Sequence, residues 1–349
     1  MRVSTRMQIR RWLAPWMGVG MLALAGWSAA QTPAAEMPLD KAEVRSWLLR
    51  IHDAAQTRNF QGIFVVTTAG QMSSARIAHY AEGSDQYERI ETLDGQARSV
   101  LRHNDVVATL WPDSRAALIE RREASNSFPR LIDHDGDRIV EHYDVRRKGV
   151  DRVAGHEAHL LLLTPRDAMR YGYRLWSEKV SGLLLRADVL NAAGEVIESS
   201  AFSEVSIGVK PQPDTVTRPL KRLKGYRVER PVMTPTYYEN EGWTYQRVVP
   251  GFRHVSCVKR SHNAVDGAQV TENTDRSMLQ TIFSDGLAHV SIFVEPFDAA
   301  RHRREVVMSM GATHTLMKRH GAWWVTAVGE VPAATLHEFV RGLERKKPQ

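Results

Sequence analysis

Hydrophobic residues between positions 40 and 58 recur at intervals of three and four, which is the spacing of one helix face. The apolar positions are Val44, Trp47, Leu48, Ile51 and Ala55. Asp40, with Glu43 three residues later, matches a capping box at a helix start. The pattern therefore predicts a helix that begins after Asp40 and ends at about Arg58.

From residue 60 onward the pattern changes to short apolar runs separated by Gly, Asp, Asn or Pro. The runs "QGIFVVTTAG", "SSARIAHYAEG" and "DQYERIETLDG" predict strands, and connections this short make neighbouring strands antiparallel. After a looser segment, "SNSFPRLIDHDGDR", the runs resume at "HEAHLLLLTP", "YGYRLW" and "SGLLLRADVL". The prediction is an α+β fold whose first part is a large curved antiparallel sheet, a half-barrel, with a helix against one face.

Residues 208–222, "GVKPQPDTVTRPLKR", contain three prolines and show no apolar periodicity. They predict a linker between a first domain at 31–207 and a smaller α+β domain at 223–349. Further strand-like runs follow the linker. Pro332, with apolar residues behind it at helical spacing, predicts a C-terminal amphipathic helix. Those apolar residues are Leu336, Phe339, Val340 and Leu343.

The N-terminus changes the interpretation of the net charge. Residues 1–30 hold four arginines, an apolar run from about Trp12 to Trp27, and a small-residue site ending at Ala30. This order predicts a secretory signal peptide that is cleaved near Ala30. A membrane anchor is disfavoured, because the run is short and holds Pro15, Gly18 and Gly20. Cleavage lowers the net charge from +7 to +3, since the segment holds four arginines and no acids. We expect a periplasmic protein that does not bind nucleic acid.

Candidate catalytic and metal-binding residues are few. His156 and His159 in "HEAH" lie three apart, so on a strand they point to opposite faces and do not form a metal site. The "DHDGDR" turn lacks the glycine and glutamate that a calcium loop needs. Cys257 is the single cysteine, which excludes an intramolecular disulfide, and it is interpreted as a small core residue. The sequence indicates no catalytic residues, no metal and no cofactor.

The segment "RDAMRYGYRLW", residues 166–176, is unusually rich in arginine and aromatic residues. On a strand, Tyr171, Tyr173 and Leu175 share one face, whereas Arg170, Gly172, Arg174 and Trp176 share the other. No nucleophile or general base lies among them. The arginine–tryptophan face is therefore a candidate ligand or docking surface.

The longer string "RVAGHEAHLLLLTPRDAMRYGYRLWSEKVSGLLLRADVLNAAGEVIESSAFSEV" resembles the signature region of the RseB/MucB family of periplasmic sigma-factor regulators. "NFQGIFVV" and "ERIETLDGQARSVLR" resemble the N-terminal part of the family, and "EGWTYQRVVPGF" and "SDGLAHVSIFVE" the C-terminal part. The resemblance runs in colinear order over nearly the whole chain after the signal segment.

The resemblance implies a specific function. Family members bind the periplasmic domain of a membrane-spanning RseA- or MucA-like anti-sigma factor and shield it from the site-1 protease. Lipopolysaccharide or another acylated lipid relieves this inhibition. The N-terminal domain is expected to have a LolA-like half-barrel fold, similar to the lipoprotein carriers LolA and LolB, and a homo-oligomer is left open. The alternative is a periplasmic lipid or lipoprotein carrier. A third hypothesis is an exported hydrolase, but no set of residues in the sequence supports it.

Two groups of residues follow as candidates for these roles. Alternate apolar side chains of the half-barrel are expected to line an acyl-chain cavity, unless they form ordinary core under the helix: Ile63, Val65, Ile77, Leu161, Leu163, Leu183 and Leu185. Exposed arginines and aromatic residues are the expected anchors for the partner, unless they pack internally. These are Arg170, Arg174, Trp176, Arg222, Trp243, Tyr245, Phe252 and Trp323.

Overall fold

A computed structural model describes residues 37–121, 136–261 and 277–346, all of which belong to one compact unit. It has four helices in these ranges: α1 Lys41–Thr57, α2 Gly136–His142, α3 Asp214–Lys221 and α4 Ala333–Gly342. None of these helices combines the length and apolarity needed to cross a membrane. The predicted signal peptide and the first part of the "DHDGDR" turn lie outside the described residues.

Helix α1 begins and ends as predicted. The backbone N–H of Glu43 donates to the Asp40 carboxylate at 2.8 Å, and the Asp40 N–H donates to the Glu43 carboxylate at 3.0 Å. This capping box satisfies two of the backbone donors that a helix start leaves without partners. The last turn ends at Thr57, and Arg58 is extended. The prediction of this helix is confirmed.

The first sheet has 13 strands in the order β1-β8-β9-β10-β11-β12-β2-β3-β4-β5-β6-β7-β13. Its strands are β1 Met37–Pro38, β2 Phe60–Thr68, β3 Gln71–Glu82, β4 Asp85–Thr92, β5 Ser99–His103, β6 Val106–Trp111, β7 Ala116–Arg121, β8 Tyr143–Val153, β9 His156–Pro165, β10 Gly172–Glu178, β11 Leu184–Leu190, β12 Val196–Ile207 and β13 Arg227–Glu229. All neighbours are antiparallel except β13 and β7, which are parallel. The sheet is open, with β1 and β13 at its edges.

The second sheet has seven strands in the order β14-β16-β17-β18-β21-β20-β19. They are β14 Val232–Pro235, β16 Arg253–Ser261, β17 Ser277–Ser284, β18 His289–Pro296, β19 Val306–Met310, β20 Thr313–His320 and β21 Trp323–Gly329. A ribbon of β15 Trp243–Tyr245 and β22 Leu343–Arg345 lies beside it. Helix α4 packs Leu336 and Phe339 into the core of this sheet, as its pattern predicts. The α+β fold class is confirmed.

Helix α1 packs on one face of the first sheet, which we call the inner face. Val44, Leu48 and Ile51 of the helix form one buried cluster with residues of β9 and β10, including Leu161 and Tyr173. On a strand, successive residues point to opposite faces, so Leu160 and Leu162 face away from the helix. The opposite face of the sheet is called the outer face.

The segment predicted to be a linker covers part of the outer face. Residues 214–221 form α3, and its Val216 is fully buried against Tyr80, Leu101 and Leu110 of β3, β5 and β6. Leu220, Leu223, Tyr226 and Val228 pack against the same cluster. The apolar residues of this segment are distributed over a helix, a turn and a strand and are interrupted by three prolines, so they show no single periodicity in the sequence. The structure therefore corrects the extended linker at 208–222 to a covering segment, and the first sheet continues to Glu229.

Candidate functional site

The inner face of the first sheet is filled by the protein's own side chains. Leu161, Leu163, Leu183 and Leu185 are fully buried, and Ile77 is 2% exposed. They lie in two clusters that also contain residues of α1. In this conformation these five residues are core under the helix. Their predicted role in lining an acyl-chain cavity stays a prediction, and it requires α1 to separate from the sheet.

Two residues proposed for the same cavity lie on the other face. In the strand register Ile77 is paired with Gly62, which lies between Phe60 and Phe64 on the inner face. Ile63 is paired with Arg76, and Val65 with Ser74, so both point outward. The bulky phenylalanines occupy the inner positions of β2. The structure thus corrects the placement of Ile63 and Val65 on the concave side.

An open cleft of about 850 Å³ lies on the outer face of the first sheet, over β8 to β11. This volume is in the range of small-ligand sites. Its apolar lining comes from half-buried or buried side chains at outward positions of these strands, Leu160, Leu162, Trp176 and Leu190, and from Pro165 at the end of β9. Lys148, Arg166 and Arg174 lie around it, together with Asp151 and Asp167. The cleft is an apolar floor with a charged rim.

The arginine–tryptophan face predicted from the sequence lies in this cleft. The Trp176 indole N–H donates to the Asp151 carboxylate at 3.2 Å, and the Arg186 guanidinium stacks 4.5 Å from the ring centroid. These contacts hold the ring in the floor. Arg174 is partly exposed and makes one long hydrogen bond, 3.5 Å, to the Gly194 carbonyl. Its guanidinium can therefore turn toward an anionic group at small cost.

Arg170, from the same segment, is instead a buried junction residue. Its guanidinium donates to the Asp285 carboxylate at 2.9 Å and to the Pro250 carbonyl at 2.6 Å, both across the boundary between the sheets. The side chains of Arg170 and Asp285 are fully buried. Asp285 also accepts a hydrogen bond from the Tyr143 hydroxyl at 3.2 Å. Burial, and then the nearby carboxylate, raise the pKa of Tyr143 well above its ordinary value.

Further contacts join the two sheets around this ion pair. Arg260 of β16 forms an ion pair with the buried Glu120 of β7. The Ala312 N–H donates to the Glu198 carboxylate at 3.3 Å, and the Thr335 hydroxyl donates to the Met169 carbonyl at 2.8 Å. Sequence reasoning missed Asp285 and Glu120. An Asp in the turn "SDG" and an acid at alternate positions of a strand are normally exposed, so no local signal marks them.

The aromatic residues proposed as partner anchors in the second domain are mostly internal. Trp243 and Phe252 are 1% and 4% exposed and belong to the second core. Tyr245 and Trp323 are partly buried against that core, and Arg222 is exposed. The expectation that Trp243 and Phe252 are exposed is corrected, because Trp243 packs edge-on against Trp323 and Phe252 edge-on against Phe339 of α4. A role of these residues in partner binding stays a prediction.

The histidines and the cysteine show no shared site. No group of three or more His, Cys, Asp or Glu side chains in ranges 37–121, 136–261 and 277–346 is arranged to hold a metal ion. His156 and His159 lie on strand β9, as predicted. Cys257 is 4% exposed, and its thiol lies 3.4 Å from the Thr281 hydroxyl. Burial raises the pKa of this thiol. The prediction of Cys257 as a core residue is confirmed.

Two antiparallel sheets that share a buried polar junction, with a helix inside the larger one, define a two-domain α+β protein. Comparison with protein families identifies the family to which this protein belongs. Residues 43–220 match the MucB/RseB N-terminal domain, and residues 238–344 match the MucB/RseB C-terminal domain. The chain belongs to the MucB/RseB family.

Similar proteins support the same assignment over most of the chain. The sigma factor AlgU regulatory protein MucB of Pseudomonas aeruginosa is 29% identical over 84% of this chain and 88% of its own length. The sigma-E factor regulatory protein RseB of Haemophilus influenzae is 23% identical over 92% of this chain and 94% of its own length. A crystal structure of MucB in complex with MucA(peri) is 27% identical, with a TM-score of 0.63, covering 87% of this chain and all of that one.

Proposed function

We propose that this chain is a periplasmic negative regulator of an envelope-stress sigma factor, and not an enzyme. It binds the periplasmic domain of a membrane-spanning, MucA- or RseA-like anti-sigma factor and shields that domain from site-1 proteolysis. The observation that carries the proposal is the similarity, over both domains, to a MucB chain solved in complex with MucA(peri). The related proteins are named for regulation of the factors AlgU and sigma-E.

The outer cleft is the surface that we assign to the partner. It offers half-buried leucines that no element of the described chain covers, together with the under-used guanidinium of Arg174. Apolar side chains of a partner bury area on Leu160 and Leu162, and an acidic side chain pairs with Arg174. The inner face contributes nothing to docking in this conformation, because it is filled.

Relief by an acylated lipid such as lipopolysaccharide follows from the same chemistry. An acyl chain that occupies the apolar floor competes with the partner, and a lipid that binds the free form better weakens the complex equally. The predicted lining residues of the inner face offer a second route, since opening α1 would expose Leu161 and Leu163 to acyl chains.

Binding by the full mature chain tests this proposal. Calorimetry with the periplasmic domain of the anti-sigma factor from the same organism should give a complex, and the complex should slow cleavage by the site-1 protease. Leu162→Asp should weaken binding about tenfold or more, because it places a charge on the apolar floor. Lipopolysaccharide should release the domain from the parent chain.

Val180→Asp is the matched control. Val180 is 84% exposed in the β10–β11 turn and does not line the cleft, so this variant should bind like the parent. Failure of any complex to form, together with binding of acylated lipoprotein, would mean that the protein is a carrier. Equal loss in both variants would show that the cleft is not the binding surface.

A further inference from the structure

The edge strand β19 of the second sheet has the properties of a strand that pairs with another chain. Its sequence is "VVMSM", without charge or proline, and four of its five residues are exposed. Val307, Met308 and Met310 are 47%, 49% and 71% exposed. Among the described residues β19 pairs with β20 alone. A free apolar edge of this kind invites pairing, and natural proteins normally protect it.

The other three edges of the two large sheets are protected in this way. β1 has two residues and ends in Pro38, and β14 has four and ends in Pro235. β13 has three residues, of which Arg227 and Glu229 are exposed and form an ion pair at 3.6 Å. Shortness, proline and charge each discourage edge-to-edge pairing. Only β19, among these four edges, has five residues and neither proline nor charge.

The register of the β19–β20 hairpin identifies the free backbone groups. Met310 is paired with Thr313 across the two-residue turn Gly311–Ala312, so these two residues bond to each other through their own N–H and C=O groups. Bonding alternates along an antiparallel pair, and the register has no bulge. The N–H and C=O groups of Val307 and Ser309 therefore point away from β20, toward an added strand.

Charge at one end of the edge indicates what kind of segment fits. Arg303 and Arg304 lie three and two residues before the first residue of β19, are exposed, and have no acidic partner among the described residues. Lys318, opposite residue 305 in the hairpin, is exposed as well. Glu305 is the one acid beside them, and its carboxylate accepts a hydrogen bond from the Arg319 N–H at 3.0 Å. The surroundings favour a segment with acidic residues at that end.

The opposite end of the hairpin is fixed to the first sheet. Ala312 is fully buried in the inner-face cluster, and its N–H donates to Glu198 of β12. A side chain at Gly311 would collide with Thr68 of β2. The edge is thus held in its extended form before any partner binds, which lowers the entropic cost of pairing.

We propose that β19 binds an extended segment of the anti-sigma-factor periplasmic domain by β-strand addition. The segment is apolar over about five residues, the length of the edge, and carries acidic side chains next to this run. Main-chain bonds to Val307 and Ser309 hold it, and Arg303 and Arg304 meet its acids. This inference deepens the proposed function and rests on it, since the occupant is part of the same partner domain.

Residue-resolved amide hydrogen exchange tests the pairing directly. In the free full chain the outward amides of Val307 and Ser309 should exchange fast, whereas the Met308 amide, bonded to β20, is already slow. Saturation with the partner domain should slow the two outward amides more than tenfold and leave Met308 little changed. Binding seen by calorimetry without this protection would overturn the inference and leave the proposed function standing.

Two other outcomes are also decisive. Absence of any binding in calorimetry would remove the proposed function and, with it, the occupant proposed for this edge. Protection of Val307 and Ser309 in the free protein that increases with its concentration would show that a second copy of the chain occupies the edge, which also overturns the inference.

Variants at the two edges of the second sheet supply a matched pair. Val307 and Val232 are equally exposed, 47% and 48%, on β19 and β14. Val307→Lys should weaken binding of the partner domain about tenfold, because a lysine blocks the edge, whereas Val232→Lys should bind like the parent. Both variants should keep the parent's unfolding midpoint. Equal affinities of the two variants would contradict strand addition at β19.

Charge reversal tests the second part of the inference. The double variant Arg303→Glu, Arg304→Glu should weaken binding about tenfold at low ionic strength, and the difference should shrink as salt is added. The unfolding midpoint should stay at the parent value, because both side chains are exposed. An affinity that does not change in the double variant would exclude an acidic segment at this end.

Discussion

The outer face of the first sheet is covered over one half and open over the other. Over β3 to β7, Tyr80, Leu101 and Leu110 lie beneath residues 209–228 and are almost fully buried. Over β8 to β11, Leu160 and Leu162 line a cleft that no described element covers. Both halves belong to the same antiparallel sheet and both carry apolar side chains outward.

The presence or absence of cover gives the two halves of the outer face different roles. A sheet with apolar residues on both faces needs cover on both. Within the described residues, α1 covers the inner face and one short segment covers part of the outer face. The uncovered half keeps its leucines accessible and has arginines at its rim. An exposed apolar patch with a polar rim marks an interaction site. The covered half therefore stabilises the fold, and the open half is the surface proposed for the partner.

Placing the same charge on each half should separate the two most strongly. Val216→Asp puts a carboxylate under α3, where it has no partner, and should lower the free energy of unfolding by about 4 kcal/mol. Leu162→Asp puts the carboxylate in the open cleft and should lower the free energy of unfolding by less than about 1 kcal/mol. Urea titrations of both variants give these values. Similar losses of unfolding free energy in the two variants would mean that the two halves of the outer face are equally covered.

Truncation of one leucine on each half gives a smaller contrast. Leu101 is 1% exposed under the covering segment, so Leu101→Ala should cost about 3 kcal/mol through lost burial and a cavity. Leu160 is partly exposed, and Leu160→Ala should cost about 1 kcal/mol. Thermal and urea unfolding measure both. A cost for Leu160→Ala that matches Leu101→Ala would show that the cleft is closed in solution.

The third prediction concerns a small pH effect on stability that arises on the inner face of the same sheet. His79 stacks on Phe60 at 5.3 Å, and one ring nitrogen lies 2.9 Å from the Arg58 carbonyl. Burial lowers the pKa of His79 in the folded chain. The unfolded chain then takes up the proton first, so stability is complete above the ordinary pKa of about 6.5 and falls as pH drops below it.

His79→Gln removes this titration and keeps a side-chain donor. The free energy of unfolding of this variant, measured by urea titration from pH 7.5 to 5, should decline less steeply than that of the parent. Equal slopes for the two proteins would show that His79 does not contribute to the acid sensitivity of the fold.

Local patterns along the chain were enough to predict several elements correctly. The capping box and apolar spacing of α1, the alternating strands, and the proline and apolar face of α4 each specify a structure within a few residues of chain. The α+β class and the family resemblance follow from these. In "RDAMRYGYRLW", strand periodicity also separated Tyr173 and Leu175 from Arg174 and Trp176 correctly.

What lies against each face of the first sheet depends on contacts that the folded chain alone reveals. "LLLL" is apolar at every position, so the sequence could not say that Leu161 and Leu163 meet α1 while Leu160 and Leu162 stay open. Residues 208–222 have a linker's composition, yet they cover a sheet, because burial depends on distant strands. The Arg170–Asp285 pair joins residues 115 positions apart. Burial, pairing across domains and free edges are properties of contacts between distant segments, which no local pattern contains.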